Sequence, residues 1–237
     1  MLLIIVLMQR LYLQKFEVPK MRYVISLGGS VIVPKELDVK FLSSFSKLIK
    51  KSKYRFSIVC GGGATARMYQ WAAQKLGIND YNSHSIGIEA TLLNAFFISN
   101  LVNGNFVPGH PLDTAKRFGK NPVVSGGYEP GWTTDIDAAI IARKIKADAL
   151  INITNVNHVY DKDPKIYKNA KKIVKISWKD FMKLMVMKRK PGAHFVFDPD
   201  AAKICKAAKI KVYVVGNNIA NLKKCLNGKN FVGTTIF

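Results

Sequence analysis

Three glycine turns are the stretches of this chain best suited to chemistry: Gly28-Gly29-Ser30, Gly61-Gly62-Gly63 and Gly126-Gly127. A backbone without Cβ atoms can bring its N–H groups close to an anion, and a helix starting just beyond adds the positive end of its dipole. Arg67 follows the triple glycine by one helical turn, from which a guanidinium can reach back toward the same anion. Three consecutive glycines lose more conformational entropy on folding than almost any other tripeptide. A single strand-ending glycine is usually a packing device. Three such turns together fit a polyphosphate, or two phosphates meeting, better than one isolated anion.

Two further segments carry side chains suited to a nucleotide site. In GGYEPGWTTDIDAA, Pro130-Gly131 makes a turn, Thr133 and Thr134 offer hydroxyls, and Asp135 opens a helix. Thr and Asp at a helix start serve first as N-caps; after a glycine-ended strand they are also placed to face a cleft. In ITNVNHVYDKDP, Thr154 and Asn155 end an apolar run, and Tyr160, Asp163 and Pro164 follow. Asp-x-Asp-Pro is a turn by default, and its place at a strand end makes it a candidate nucleotide clamp. Other chemistries lack their residues. There is no G-x-x-x-x-G-K-[ST] loop, and G-G-S is not the G-x-G-x-x-G of a dinucleotide site. His84, His110, His158 and His194 have no metal-ligand spacing. Cys60, Cys205 and Cys225 form no CxxC, so a reducing, cytoplasmic setting without disulfides is expected.

The elements that must position these residues are short. Strands are expected at residues 23–27, 56–60, 122–125, 149–154 and 212–215, with a last one in the closing FVGTTIF. Helices are expected at 37–51, 64–76, 86–102, 135–146, 199–209 and 219–226. Such alternation reads as repeated βαβ units. The continuous apolar strands predict a sheet covered on both faces, a three-layer αβα sandwich with a mostly parallel central sheet. In open α/β sheets ligands bind beyond the carboxyl ends of the strands, where all three glycine turns fall.

Composition sets the outer bounds. The 237 residues are 49% hydrophobic and 22% charged, a globular balance long enough for one sizeable core. The formal charge of +22 favours anionic partners. Much of the excess lies between Lys162 and Lys190, where basic residues far outnumber Asp163 and Asp180. That segment reads as a solvated basic surface and an excursion closing over a site. The interleaved aromatics of a base-stacking platform are missing, which argues against nucleic acid. MLLIIVLM at the start is about a third of a membrane span, with no basic flank before it and no cleavage site after it. Residues 1–20 therefore read as an extension or a mis-called start before Met21, and residues 21–237 as a single domain. Nothing else in the chain is expected to cross a bilayer.

The segments ISLGGSVIVP, GGGATARMY, GGYEPGWTTDIDAA, TNVNHVYDKDP, FDPDAAK and GTTI, in this order, resemble the amino acid kinase superfamily, and most closely its archaeal uridylate kinases. The resemblance spans residues 23–237. It implies transfer of the ATP γ-phosphoryl group to UMP, with Mg²⁺, in a homohexamer. It implies that Gly28, Gly29 and Ser30 hold ATP phosphates with help from Gly63 and Arg67. Thr154, Asn155, Tyr160 and Asp163 would frame the adenosine. Gly62 and the loop of Tyr128, Glu129, Pro130, Gly131, Trp132, Thr133 and Thr134 would hold UMP. Asp135 would organise the groups that neutralise phosphate charge, and Lys203 matches a transition-state lysine. The acceptor part would be residues 21–150 and the ATP part 151–237.

Three positions depart from the family pattern. His84 stands where an aspartate usually reads the UMP ribose, and it cannot accept two hydroxyl hydrogen bonds as a carboxylate does. Asn157 and His158 replace Asp and Gly in T-N-V-D-G-V-Y; the histidine would shift this turn if the glycine had positive φ. Leu92 replaces an arginine. The alternatives these departures raise are a same-fold kinase with another small phosphate or carboxylate acceptor, or a nucleotide-sensing or nucleic-acid-binding homologue.

Overall fold

A computed structural model describes residues 21–164, 166–187 and 195–237. The initial segment 1–20 and part of the basic segment lie outside the described residues. The strands are β1 (Arg22–Leu27), β2 (Arg55–Cys60), β3 (Asn105–Phe106), β4 (Val123–Ser125), β5 (Ala149–Thr154), β6 (Val159–Tyr160), β7 (Lys172–Ile173), β8 (Lys175–Ile176), β9 (Lys211–Gly216) and β10 (Gly233–Ile236). The helices are α1 (Gly29–Ile32), α2 (Val39–Lys51), α3 (Gly63–Lys75), α4 (Asp80–Val102), α5 (Pro111–Lys116), α6 (Thr134–Ile145), α7 (Trp178–Met187), α8 (Pro199–Ala207) and α9 (Ile219–Leu226).

Eight strands form one sheet in the order β3-β4-β2-β1-β5-β9-β10-β8. The first six run parallel, and β10 lies antiparallel to β9 with β8 parallel to β10. The central strands are buried along nearly their whole length because helices cover both faces. On one face Ile25, Leu27, Ile58 and Ile151 pack with Phe41 and Phe45 of α2, Ile98 of α4 and Leu222 of α9. On the other, Val24, Val59, Leu150 and Val212 pack with Ile141 of α6, Phe181 of α7 and Ala201 of α8. This is the expected three-layer sandwich.

Register brings the functional turns to one edge. Leu27 pairs with both Cys60 and Ile153, so Gly28, Gly61 and Thr154 leave the sheet side by side. Ser125 pairs with Val59, and Thr154 with Gly216, which extends that edge in both directions.

Several elements differ from expectation. The helix expected at 86–102 begins at Asp80, because Asn79 caps it by accepting the Asn82 N–H at 2.9 Å. The polar stretch NDYNSHS hides that start from apolar periodicity. By length and composition α4 could also cross a bilayer, contrary to the reading that nothing beyond the N-terminus could. Its Ala95, Ile98 and Val102 are instead core residues against the sheet. The basic segment is less of a flap than expected where it is described. There β8 joins the main sheet, and Trp178, Phe181, Leu184 and Met185 of α7 are buried in the core. Their helical spacing outweighs the lysines between them, whose charged ends reach solvent.

Candidate active site

The first two glycine turns are built against each other. A Cβ on Gly29 would overlap the amide nitrogen of Gly63 and lie 2.7 Å from that of Gly62. A Cβ on Gly63, whose φ is +65°, would overlap the Gly29 carbonyl. Only glycine allows this approach, and at Gly63 only glycine adopts the φ without strain. The Gly61 N–H donates to the Leu27 carbonyl at 2.9 Å and the Ala64 N–H to Val33 at 2.8 Å. The main chains of the two turns are thereby locked together. The first amides of α1 and α3 have no carbonyl one turn behind them to bond. Gly28 donates to Ile153 at 2.9 Å, tying the first turn to the end of β5.

The third turn joins through α4. Thr91 Oγ1 accepts the Gly127 N–H at 2.7 Å and donates to the Ile88 carbonyl at 2.7 Å. Asn94 Nδ2 donates to the Gly61 carbonyl at 2.8 Å and the Gly62 carbonyl at 3.3 Å. One helix therefore holds two glycine turns by buried polar side chains. A Cβ on Gly126 would come 2.5 Å from Thr91 Oγ1.

The loop from Tyr128 to Thr134 lies beyond. Gly131, at φ +90°, turns it, and Trp132 N–H donates to Glu129 O at 2.9 Å. Tyr128 lies edge-on to His110 and Trp132, with ring centroids 4.9 and 6.4 Å away. Thr133 occupies the N-cap position of α6 but makes no side-chain capping bond. Its hydroxyl is thus not used in the way helix-start statistics would suggest.

Asp135 sits beneath the edge of β1. Its carboxylate accepts from Ser26 Oγ at 2.7 Å and from the Asp198 N–H at 3.1 Å. Burial pushes its pKa up to about 6, against the pull of those two hydrogen bonds. The Asp198 contact also fixes the start of α8, where Asp198 accepts the Asp200 and Ala201 amides. Lys203 is one turn further along α8, at the surface, with Nζ 2.7 Å from Asp200 Oδ1. Arg67 is exposed on α3 and donates to the Pro34 carbonyl at 3.2 Å. That contact holds the guanidinium toward the segment that follows α1.

Thr154 is half-buried at the end of β5, with its hydroxyl donating to Asn155 Oδ1 at 3.3 Å. A Cβ on Gly28 would lie 3.7 Å from the Thr154 Cα, so these two strand ends adjoin. The Asp163 carbonyl accepts the Tyr167 N–H at 2.8 Å. Tyr160 lies edge-on to His158, 6.4 Å between centroids. His158 does not take a positive φ. It is buried, and burial lowers its pKa. Asn157 packs on Gly216 so closely that a Cβ there would overlap its side-chain oxygen. His84 is exposed on α4, one turn before Gly87, whose carbonyl lies 3.4 Å from where a Gly62 Cβ would be. The Leu92 backbone nitrogen lies 2.9 Å from where a Gly126 Cβ would be.

Sequence reasoning missed Ser26, Thr91, Asn94 and Asp137. The first three are small or neutral polar residues inside otherwise apolar segments, which is the signal that would have found them. Asp137 is 1% exposed in α6, and its pKa is pushed up to about 7 by burial.

An open, mostly parallel sheet with glycine turns meeting at its carboxyl edge defines an α/β protein of the doubly wound kind. A family model described as the amino acid kinase family matches residues 21–216, and the chain belongs to that family. It is 40% identical over 218 residues to a uridylate kinase of Thermoplasma volcanium, covering 90% of this chain and 96% of that protein. It is 38% identical over 225 residues to one from Pyrococcus abyssi, covering 91% and 99%. The crystal structure of uridylate kinase from Archaeoglobus fulgidus superposes with a TM-score of 0.79 at 35% identity, over 92% of this chain and all of that one.

Proposed function

We propose that this chain is a UMP kinase, moving the γ-phosphoryl group of ATP to a phosphate oxygen of UMP to give UDP and ADP in pyrimidine nucleotide synthesis. The observation that carries this reading is the convergence of three glycine turns at one sheet edge, two in main-chain contact and the third held by the same helix. The archaeal uridylate kinases it resembles support UMP over other acceptors.

Phosphoryl transfer asks little covalent chemistry of a protein. It requires two anions held in line while developing charge is stabilised. Gly28, Gly29, Ser30, Gly63 and Arg67 would supply donors to the ATP phosphates. Gly62, His84 and the Tyr128–Thr134 loop would hold the acceptor. Thr154, Asn155, Tyr160 and Asp163 would bracket the adenosine. Lys203, swung from its exposed pair with Asp200, would meet the transferred group. Asp135 would keep the start of α8, and so Lys203, in register with β1. The described residues include no group of three or more His, Cys, Asp or Glu able to hold a metal. Mg²⁺ would ride on the nucleotide phosphates, as it commonly does, and neutralise their charge.

Residues 21–150 would form the acceptor part and 151–237 the donor part. The three cysteines are free and buried, which suits a cytoplasmic protein. The exposed Leu93, Phe96 and Phe97 of α4 suit burial between copies in a hexamer. A coupled ADP-release assay across UMP, CMP, dUMP and isopentenyl phosphate tests the assignment. UMP is expected to give the highest kcat/KM, and no turnover with UMP would overturn it.

A further inference from the structure

The described residues with buried, unpartnered side-chain polar atoms are His158 and four others: Ser57, Ser125, Thr114 and Asp137. Ser125 pairs with Val59, which packs in the core layer that contains α6, and Ser57 lies on the same face of β2 two residues earlier. Thr114 is fully buried on α5, which packs against α6. Asp137 is the one carboxyl among them, and a buried carboxyl without a partner is costly to keep.

Its position suggests why it is there. Asp137 Oδ2 lies 3.8 Å from where a Gly127 Cβ would be, on the side of the turn that also meets Thr134. The Tyr128 amide is the backbone group that favours its ionised form, although no hydrogen bond of ordinary geometry reaches either carboxyl oxygen. From α4, Thr91 takes the Gly127 N–H. The turn that opens the acceptor loop is thus gripped from α4 by Thr91 and flanked from α6 by Asp137.

We propose that Asp137 is a positioning residue: its buried carboxyl seats the Gly127–Tyr128 turn and thereby sets affinity for the acceptor. This rests on the reading of residues 128–134 as the acceptor loop. His110, at the start of α5, lies edge-on to Tyr128 with ring centroids 4.9 Å apart; the other ionisable groups around α6 are engaged elsewhere. On α5, Asp113 pairs with Lys116 at the surface. On α8, Asp200 pairs with Lys203, and Cys205 lies near Asp135. Asp135 itself is held by Ser26 and the Asp198 amide. On β1, Arg22 pairs with Asp148 at the far end of the sheet, where exposed Arg55 opens β2. The neighbouring β5 contributes Asn152, which donates to the Val196 carbonyl. Arg143 and Lys144 lie in the last turn of α6, away from the loop. No charge from these elements perturbs Asp137, whose shift is set by burial and the Tyr128 amide alone.

The test uses the full chain with Asp137→Val, which removes the acceptor oxygen, and Asp137→Asn, which keeps one but cannot ionise. For Asp137→Val, KM for UMP is expected to rise about tenfold, with kcat and KM for ATP within twofold. Asp137→Asn should restore KM to within threefold of the parent. It should also lose the inflection near pH 7 that the parent shows in a plot of log(1/KM) for UMP. A second readout needs no turnover: the pH dependence of Trp132 fluorescence, identified by its loss in Trp132→Phe, should vanish in Asp137→Asn. Parent-like KM values and a retained inflection in both variants would overturn the proposal. So would equal losses in both KM values and kcat, which mark a merely structural role. Failure of the parent to turn over UMP would count against the acceptor assignment alone, and the fluorescence readout would then decide the role of Asp137.

Discussion

Where β1 and β2 end, the site is made of main chain. Gly29 and Gly61 to Gly63 touch through backbone atoms, and Asn94 braces the second turn from a buried helix face. Where β5 leads toward β6, side chains dominate: Asn155 and Asp163 are exposed, and the Thr154 hydroxyl donates to its sequence neighbour Asn155. On the proposed function, the contrast would follow the needs of the two ends of a nucleotide. Phosphates are alike in every nucleotide and are held by fixed amides; a base is distinguished by side-chain edges that must admit and release it. Rigidity at the first end is provided by contacts that no substitution can imitate, whereas the second end tolerates change.

Substitutions should separate the two regions in order of effect. Gly29→Ala places a methyl group on the Gly63 amide. Since a 1 Å displacement near reacting groups costs about 10²-fold, kcat/KM is expected to fall by ~10³ or more with a lowered Tm, measured by coupled assay and calorimetry. An Ala variant with parent kinetics would dissolve the distinction. Arg67→Ala should lower kcat by about 10²-fold with unchanged Tm, in line with loss of a charged phosphate contact. Unchanged kinetics would remove Arg67 from the site.

Asp137→Asn should shift stability rather than break the cleft. Its pKa is raised to about 7 from an ordinary 3.8, so the folded protein binds a proton more tightly than the unfolded chain. Stability from this group is present at low pH and is lost as pH rises from about 4 to 7. Asn avoids that loss, and urea denaturation at pH 8 should show a gain on the order of 2 kcal/mol, absent at pH 4. A variant less stable than the parent at pH 8 would contradict the burial argument. Asn155→Ala, at the exposed end, should raise KM for ATP only about two- to fivefold, as expected for one exposed hydrogen bond. A loss as large as that of Gly29→Ala would show that the two ends are equally demanding.

Much of this was legible in the chain itself. Apolar runs of four to six residues located five central strands, and glycines at their ends located the turns that meet at the sheet edge. Where those cues faded, the reading did too. The start of α4 is polar, so Asn79 capping it was invisible to periodicity. Lysines masked α7, whose buried face includes Trp178 and Phe181. Strands of two residues such as β3 and β7 leave too short a pattern to find.

The succession of the main strands and helices along the chain, the position of the glycine turns and the family likeness were therefore written in local sequence, because hydrophobic period and glycine placement act within a few residues. Only the tertiary structure decided which groups meet. Ser26 reaches Asp135 across 109 residues, and the Asp198 amide reaches it across 63. The meeting of Gly29 with Gly63 depends on Leu27 and Cys60 sharing one register. Such contacts are set by how whole strands align and helices pack. No stretch of the chain a few residues long contains that information.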